Sequence, residues 1–155
     1  MAGQIDARLK ELGITLPAAT VPQGSYVPYA VTGSLVFLAG QIPLADGKMQ
    51  HPGIVPTQVT LEQANAAARL CAINLLTQLK AACNGDLDRV VRCVKVGGFV
   101  ACEPGFTDHP KVINGASDFF AQVLGDKAKH ARFAVGAPSL PLGAAVEVEA
   151  IFEIR

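Results

Sequence analysis

The chain has 155 residues, half of them hydrophobic and 17% charged, and its 13 basic side chains are matched by 13 acidic ones. Such a length and apolar content can bury one sizeable core, while the balanced charge gives no net attraction toward nucleic acid or an anionic membrane. No run of about 18 apolar residues occurs, which argues against a transmembrane helix, and the start lacks the order of a leader peptide, so a cytoplasmic protein is expected.

Residues 1–10 read as a short amphipathic helix, with apolar positions over 5–12 at helical spacing and a stop near Gly13. This is an N-terminal helical extension within residues 1–20 of a single domain spanning 1–155. Residues 31–39 are rich in β-branched and apolar side chains and bounded by Pro43, which predicts a strand, and Asp46-Gly47 predicts the next hairpin turn. Thr60 with Gln63 three residues on forms a capping box, and residues 61–82 carry apolar positions at three and four spacing, a long helix ended by Asn84-Gly85.

Residues 90–100 are a Val-rich run suited to a central strand. After a turn through Glu103-Pro104-Gly105-Phe106, Pro110 fits the first turn of a second helix that runs past Asn114, Phe119 and Phe120 and stops at Gly125. The closing segment, 130–154, is two β-like runs joined by a Pro and Gly turn and reads as a hairpin. The order predicts an α+β fold with helices on one face of a mixed sheet.

Each closing run places one charged side chain, Arg132 or Glu147, where a neighbouring strand or subunit could bury it. A guanidinium there offers a planar fork suited to a carboxylate, and a nearby Glu could hold or activate a water, so the pair points to a small anionic ligand. By alternation Ala134 shares the Arg132 face and Phe133 turns away. His51, His109 and His130 are scattered without metal-ligand spacing, so no metal is expected, and His130 reads as a surface residue. Cys71, Cys83, Cys93 and Cys102 lack Cys-x-x-Cys spacing and read as small buried hydrophobes.

Three ordered blocks resemble the RidA/YjgF family of imine and enamine deaminases: Gly24-Ser25-Tyr26-Val27 with residues 37–43 (Phe-Leu-Ala-Gly-Gln-Ile-Pro); Val112-Ile113-Asn114 ahead of Phe119-Phe120; and Ala131-Arg132, Leu140-Pro141 and residues 146–151 (Val-Glu-Val-Glu-Ala-Ile). The resemblance implies a chorismate-mutase-like fold with two long helices packed on one face of the sheet. It also implies a homotrimer with sites between subunits and cofactor-independent hydrolysis of 2-imino or enamine acids to 2-oxo acids and ammonia. On this reading Arg132 holds the substrate carboxylate, Glu147 orients or deprotonates water, Tyr26 and Asn114 line or brace the pocket, and Gly40 allows close backbone approach. Where many relatives carry a Cys, this chain has Ala134, and it is longer around residues 105–110 and 136–143.

Other readings stay open at each position. Arg132 could be a structural ion-pair partner, Glu147 could share a solvated face with Glu149 and Glu153, Tyr26 could be a packing aromatic, and Asn114 a surface amide. The competing functions are a non-catalytic carboxylate binder or sensor, and the RNA-cleaving or translation-inhibiting role of some relatives, against which the neutral charge counts; no nucleic acid or membrane partner is expected.

Overall fold

The computed structural model describes residues 3–155. Helix α1 (Gln4–Glu11) occupies the expected place, and Met1 and Ala2 of the expected helix lie outside the described residues. Ile5 and Leu9 are buried, four residues apart on the face that docks on the body. The carboxylate of Asp88, 83 and 84 positions away, accepts from the backbone N–H groups of Ile5 and Gln4 at 3.0 and 2.8 Å. A distant side chain thus satisfies two N–H groups that a helix start leaves without internal partners.

The expected single strand over residues 31–39 is two: β1 (Tyr29–Thr32) and β2 (Leu35–Gln41) pair antiparallel around a turn where Gly33 has φ 58°. Glycine takes that left-handed value without steric cost, and this is why the run reverses instead of continuing. Asp46-Gly47 does form a turn, with φ 50° and 74°, but it closes the separate ribbon β3 (Leu44–Ala45) and β4 (Lys48–Met49).

Helix α2 (Leu61–Ala82) begins with the capping box: Gln63 N–H donates to Thr60 Oγ1 at 3.1 Å and Thr60 N–H to Gln63 Oε1 at 3.0 Å. Strand β5 (Val90–Ala101) follows, then α3 (His109–Leu124), with Pro110 in its first turn and Gly125 ending it. The remaining strands are β6 (Ala131–Ala137) and β7 (Val146–Ile154).

The main sheet runs β1-β2-β7-β5-β6, with β5 and β6 parallel and the other pairs antiparallel. The expected β6–β7 hairpin is therefore wrong: the two strands never pair, because β5 lies between them. Residues 138–145 cross the end of β5, where Ala101 N–H donates to Ala145 O at 2.8 Å. A link with Pro138 and Pro141 is too long and too poor in N–H donors for a tight two-residue turn.

Both long helices cover one face of the sheet, as the α+β reading required. Val36, Val96, Val100, Val146, Val148 and Phe152 from the strands, and Leu75, Leu76, Ile113, Phe119 and Phe120 from the helices, are each fully buried. Gly98 allows this approach, since a Cβ there would collide with the Ile113 side chain. Among the described residues no element covers the opposite face, which carries a mixture of Phe37, Phe99, Phe133 and Val135 with Lys95, Glu147, Glu149 and Glu153.

Candidate functional site

Strand β6 is an edge strand, and alternation turns Arg132 toward the helices, level with buried Val96. Its guanidinium is held from α3: Nη1 donates to Asn114 Oδ1 at 2.9 Å and to Ser117 Oγ at 3.1 Å, and Nη2 to Pro110 O at 3.4 Å. Asn114 and Ser117 are three apart and so project from the same side of α3. Each acceptor is a neutral oxygen, and Arg132 joins none of the ion pairs among the described residues. With two bonds from Nη1 and one from Nη2 made, Nε–H and the second Nη2 proton have no acceptor among the described residues and can serve a carboxylate.

His130 is half-buried rather than on the surface, and it extends this network. Ser117 Oγ lies 2.9 Å from His130 Nε2, and His130 Nδ1 makes a short contact with Ala128 O. A consistent assignment of protons has Nδ1–H donating to Ala128 O, Ser117 O–H donating to Nε2, and Ser117 Oγ accepting from Arg132. Ser117 is the member that sequence reasoning missed; its signal was its spacing from Asn114. Ala134 shares the Arg132 face and packs against the core, while Phe133 turns to the other face and meets Phe99 edge-on at 5.4 Å.

Glu147 lies elsewhere. It sits on β7 opposite Phe99, on the uncovered face, half-buried beside Gly40 of β2. A Cβ at Gly40 would collide with Glu147 Oε1, so the absence of a side chain there is what lets the carboxylate lie against β2. Burial, and then the charge of Glu149 two residues along, raise the Glu147 carboxyl above the usual range. A carboxylate so perturbed is better suited to accept a proton near neutral pH than an exposed one. Tyr26 is 56% exposed in the segment leading to β1, at the opposite edge of the sheet from Arg132.

The residues singled out in the sequence, with Ser117 added, therefore fall into two groups within one chain. Asn114, Ser117, Arg132 and Ala134 lie at the β6 edge on the helix side; Gly40 and Glu147 lie at β2 and β7 on the open side, with Tyr26 beyond them. Arg132 is level with Ala150, through Val96, whereas Glu147 is three residues away on the same strand. Two strand spacings of about 4.8 Å and three rises of about 3.3 Å put the two Cα atoms roughly 14 Å apart, with side chains on opposite faces. One small acid cannot touch both ends within a single copy.

A family model described as "YjgF/chorismate_mutase-like, putative endoribonuclease" matches residues 6–154. The chain is 44% identical to Protein TCP17 of Trypanosoma cruzi over 155 residues, covering 99% of this chain and 96% of the relative. Protein Atu1372 of Agrobacterium tumefaciens, of unknown function, superposes with TM-score 0.90 at 49% identity, covering 97% of this chain and 92% of that one. A structure from Shewanella oneidensis MR-1 that carries the same endoribonuclease designation superposes with TM-score 0.94 at 31% identity, covering 98% and 100%.

Proposed function

The chain belongs to the YjgF/chorismate-mutase-like family, and from that premise we propose that it hydrolyses reactive 2-imino acids and their enamine tautomers at sites shared between two copies in a homotrimer. The observation that carries the reading is Arg132: a half-buried guanidinium, oriented by the neutral oxygens of Asn114, Ser117 and Pro110, with Nε–H and the second Nη2 proton left for an anion. A carboxylate seated there gains two parallel charge-assisted bonds.

The neighbouring copy supplies Glu147, with Gly40 giving it room and Tyr26 lining the opening. Glu147 accepts a proton from water as the water oxygen bonds to the imine carbon. The C=N pair passes to nitrogen, which takes up protons and leaves as ammonia while the carbonyl of the 2-oxo acid forms. The enamine enters the same path once its β-carbon is protonated. Orientation and charge complementarity suffice for so reactive a substrate, and no cofactor is needed. A head-to-tail contact between the β6 edge of one copy and the β1–β2 side of the next would close into a ring, which fits a trimer and covers the open face of the sheet. Four cysteines without a disulfide suit the reducing cytoplasm.

The test is release of ammonia and 2-oxo acid from freshly generated 2-iminopropanoate and 2-iminobutanoate. Acceleration by the wild type and none by Arg132→Ala, with assembly unchanged, supports the proposal; equal rates for the two proteins would overturn it. A second reading, RNA cleavage, rests on the endoribonuclease wording of the family description. It predicts binding that weakens steeply with salt, and the acidic Glu147, Glu149 and Glu153 on the open face count against it.

A further inference from the structure

A cavity of about 500 Å³ opens where β5 and the parallel strand β6 end and α3 begins; Cys102, Glu103, Phe106, His109, Gly136 and Pro138 are among its lining residues, and Arg132 is not. Its walls come from the segment 102–109 that leads into α3, from the end of β6 and the residue after it (136–138), and from Ile54. Cys102 Sγ lies 3.5 Å from His109 Nε2. The Phe106 ring stands edge-on to the imidazole at 5.1 Å and 80°, which fixes its orientation. A Cβ at Gly136 would lie 2.7 Å from Cys102 Sγ and 2.8 Å from His109 Nε2, so glycine at this position is what leaves the pair open to the cavity.

Sequence reasoning grouped Cys102 with three buried cysteines and left His109 unassigned. Cys71, Cys83 and Cys93 are indeed fully buried, but Cys102 is partly exposed and lines the cavity with His109 Nε2 beside it. We propose that Cys102 and His109 form a thiol–imidazole pair that captures small, uncharged, soft carbon electrophiles of the α,β-unsaturated carbonyl class. The lining decides the class: Ile54, Pro104, Phe106, Ala137 and Pro138 are apolar, and the acidic side chain among them, Glu103, disfavours anions.

In this reaction His109 Nε2 takes the thiol proton as Sγ bonds to the β-carbon. The C=C pair moves to form an enolate, and the enolate recovers the proton from the imidazolium. One C–S bond forms, one π bond is lost, and no oxidant or reductant is consumed. Burial pushes the Cys102 thiol up, so the resting group is S–H and its reactivity depends on the neighbouring acceptor. Neither Arg132 nor Glu147 lines this cavity, and thiol labelling is read without any imine turnover, so failure of one proposal is distinguishable from failure of the other.

The experiment is second-order labelling of the native protein by N-ethylmaleimide, with the adduct located by peptide mass spectrometry and rates compared with iodoacetate after normalising each to free cysteine. Expected are a single adduct at Cys102, discrimination against the anionic reagent, and labelling of His109→Gln slower by roughly tenfold or more. Adducts on Cys71, Cys83 or Cys93 at the same pace, or His109→Gln within about twofold of wild type, would overturn the proposal. The wild-type labelling pattern decides the first point without any variant. Gly136→Val, which crowds the pair from outside, gives a second check: it should block labelling even though both reacting groups remain.

Discussion

If Arg132 and Glu147 act on one substrate from different copies, two inactive variants should rescue each other. Roughly 14 Å of Cα separation and opposite sheet faces forbid a site made wholly within one chain. In a head-to-tail ring, each site takes Arg132 from one copy and Glu147 from the next. When Arg132→Ala and Glu147→Gln chains are mixed in equal amounts and allowed to exchange, a site is intact only if its first copy is the Glu variant and its second the Arg variant. With random assembly each condition holds for half the copies, so about one quarter of the sites regain both groups. The mixture should then hydrolyse 2-iminobutanoate at about one quarter of the wild-type rate per chain, against near-background rates for either variant alone. Subunit exchange is monitored by native mass spectrometry of isotope-labelled chains. Exchange without recovery would refute the shared site.

Three further outcomes follow from the same geometry. Gly40→Ala forces the Glu147 carboxylate off β2, and turnover should fall by roughly tenfold or more while affinity for a carboxylate product, measured by calorimetry, is kept. Because Glu147 must be ionised to accept a proton and its carboxyl is raised by burial and then by Glu149, kcat/KM should decline with falling pH through a value above the ordinary Glu pKa of about 4.3; Glu149→Gln should move that limb to lower pH, and an unmoved limb would remove the coupling. Asp88 is held below the usual carboxylate range by the bonds from Ile5 and then Gln4, so its stabilisation is present above about pH 3.9 and lost as pH falls through the folded value; Asp88→Ala should cost about 1 kcal/mol in urea unfolding at pH 7, a difference that shrinks in acid.

What could be read from the sequence divides by range. The capping box of α2, the Pro110 start and Gly125 stop of α3, and the Asp46-Gly47 turn are written in residues a few positions apart, and each is found where it was expected. Gly33 was visible too, but a run with apolar side chains on both sides of it reads as one strand unless the turn is weighted above the propensity. Strand partners lay beyond reach, because β5 inserts between two strands that follow it in sequence. His130 and Ser117 were nearly legible, one by strand alternation with Arg132 and the other by helical spacing from Asn114. Cys102 and His109 were not, since their meeting depends on the loop between them folding back under Phe106.

The misplaced hairpin bears directly on the chemistry. Had β6 and β7 paired, Arg132 and Glu147 could have been near neighbours and a single copy could have held a complete site. Instead β7 pairs with β2 and β5 in the middle of the sheet, and β6 is left at the edge. The parallel β5–β6 pair fixes α3 as the crossover that holds Arg132 from the helix side, while β7 carries Glu147 to the uncovered face beside Gly40. Binding and proton transfer thus depend on parts of the fold that local unfolding could uncouple, and activity on this reading is a property of the assembled ring. Dilution below the assembly threshold should abolish turnover while each chain stays folded, with circular dichroism unchanged as the rate per chain falls. A rate per chain that stayed constant through dissociation would return the site to a single copy.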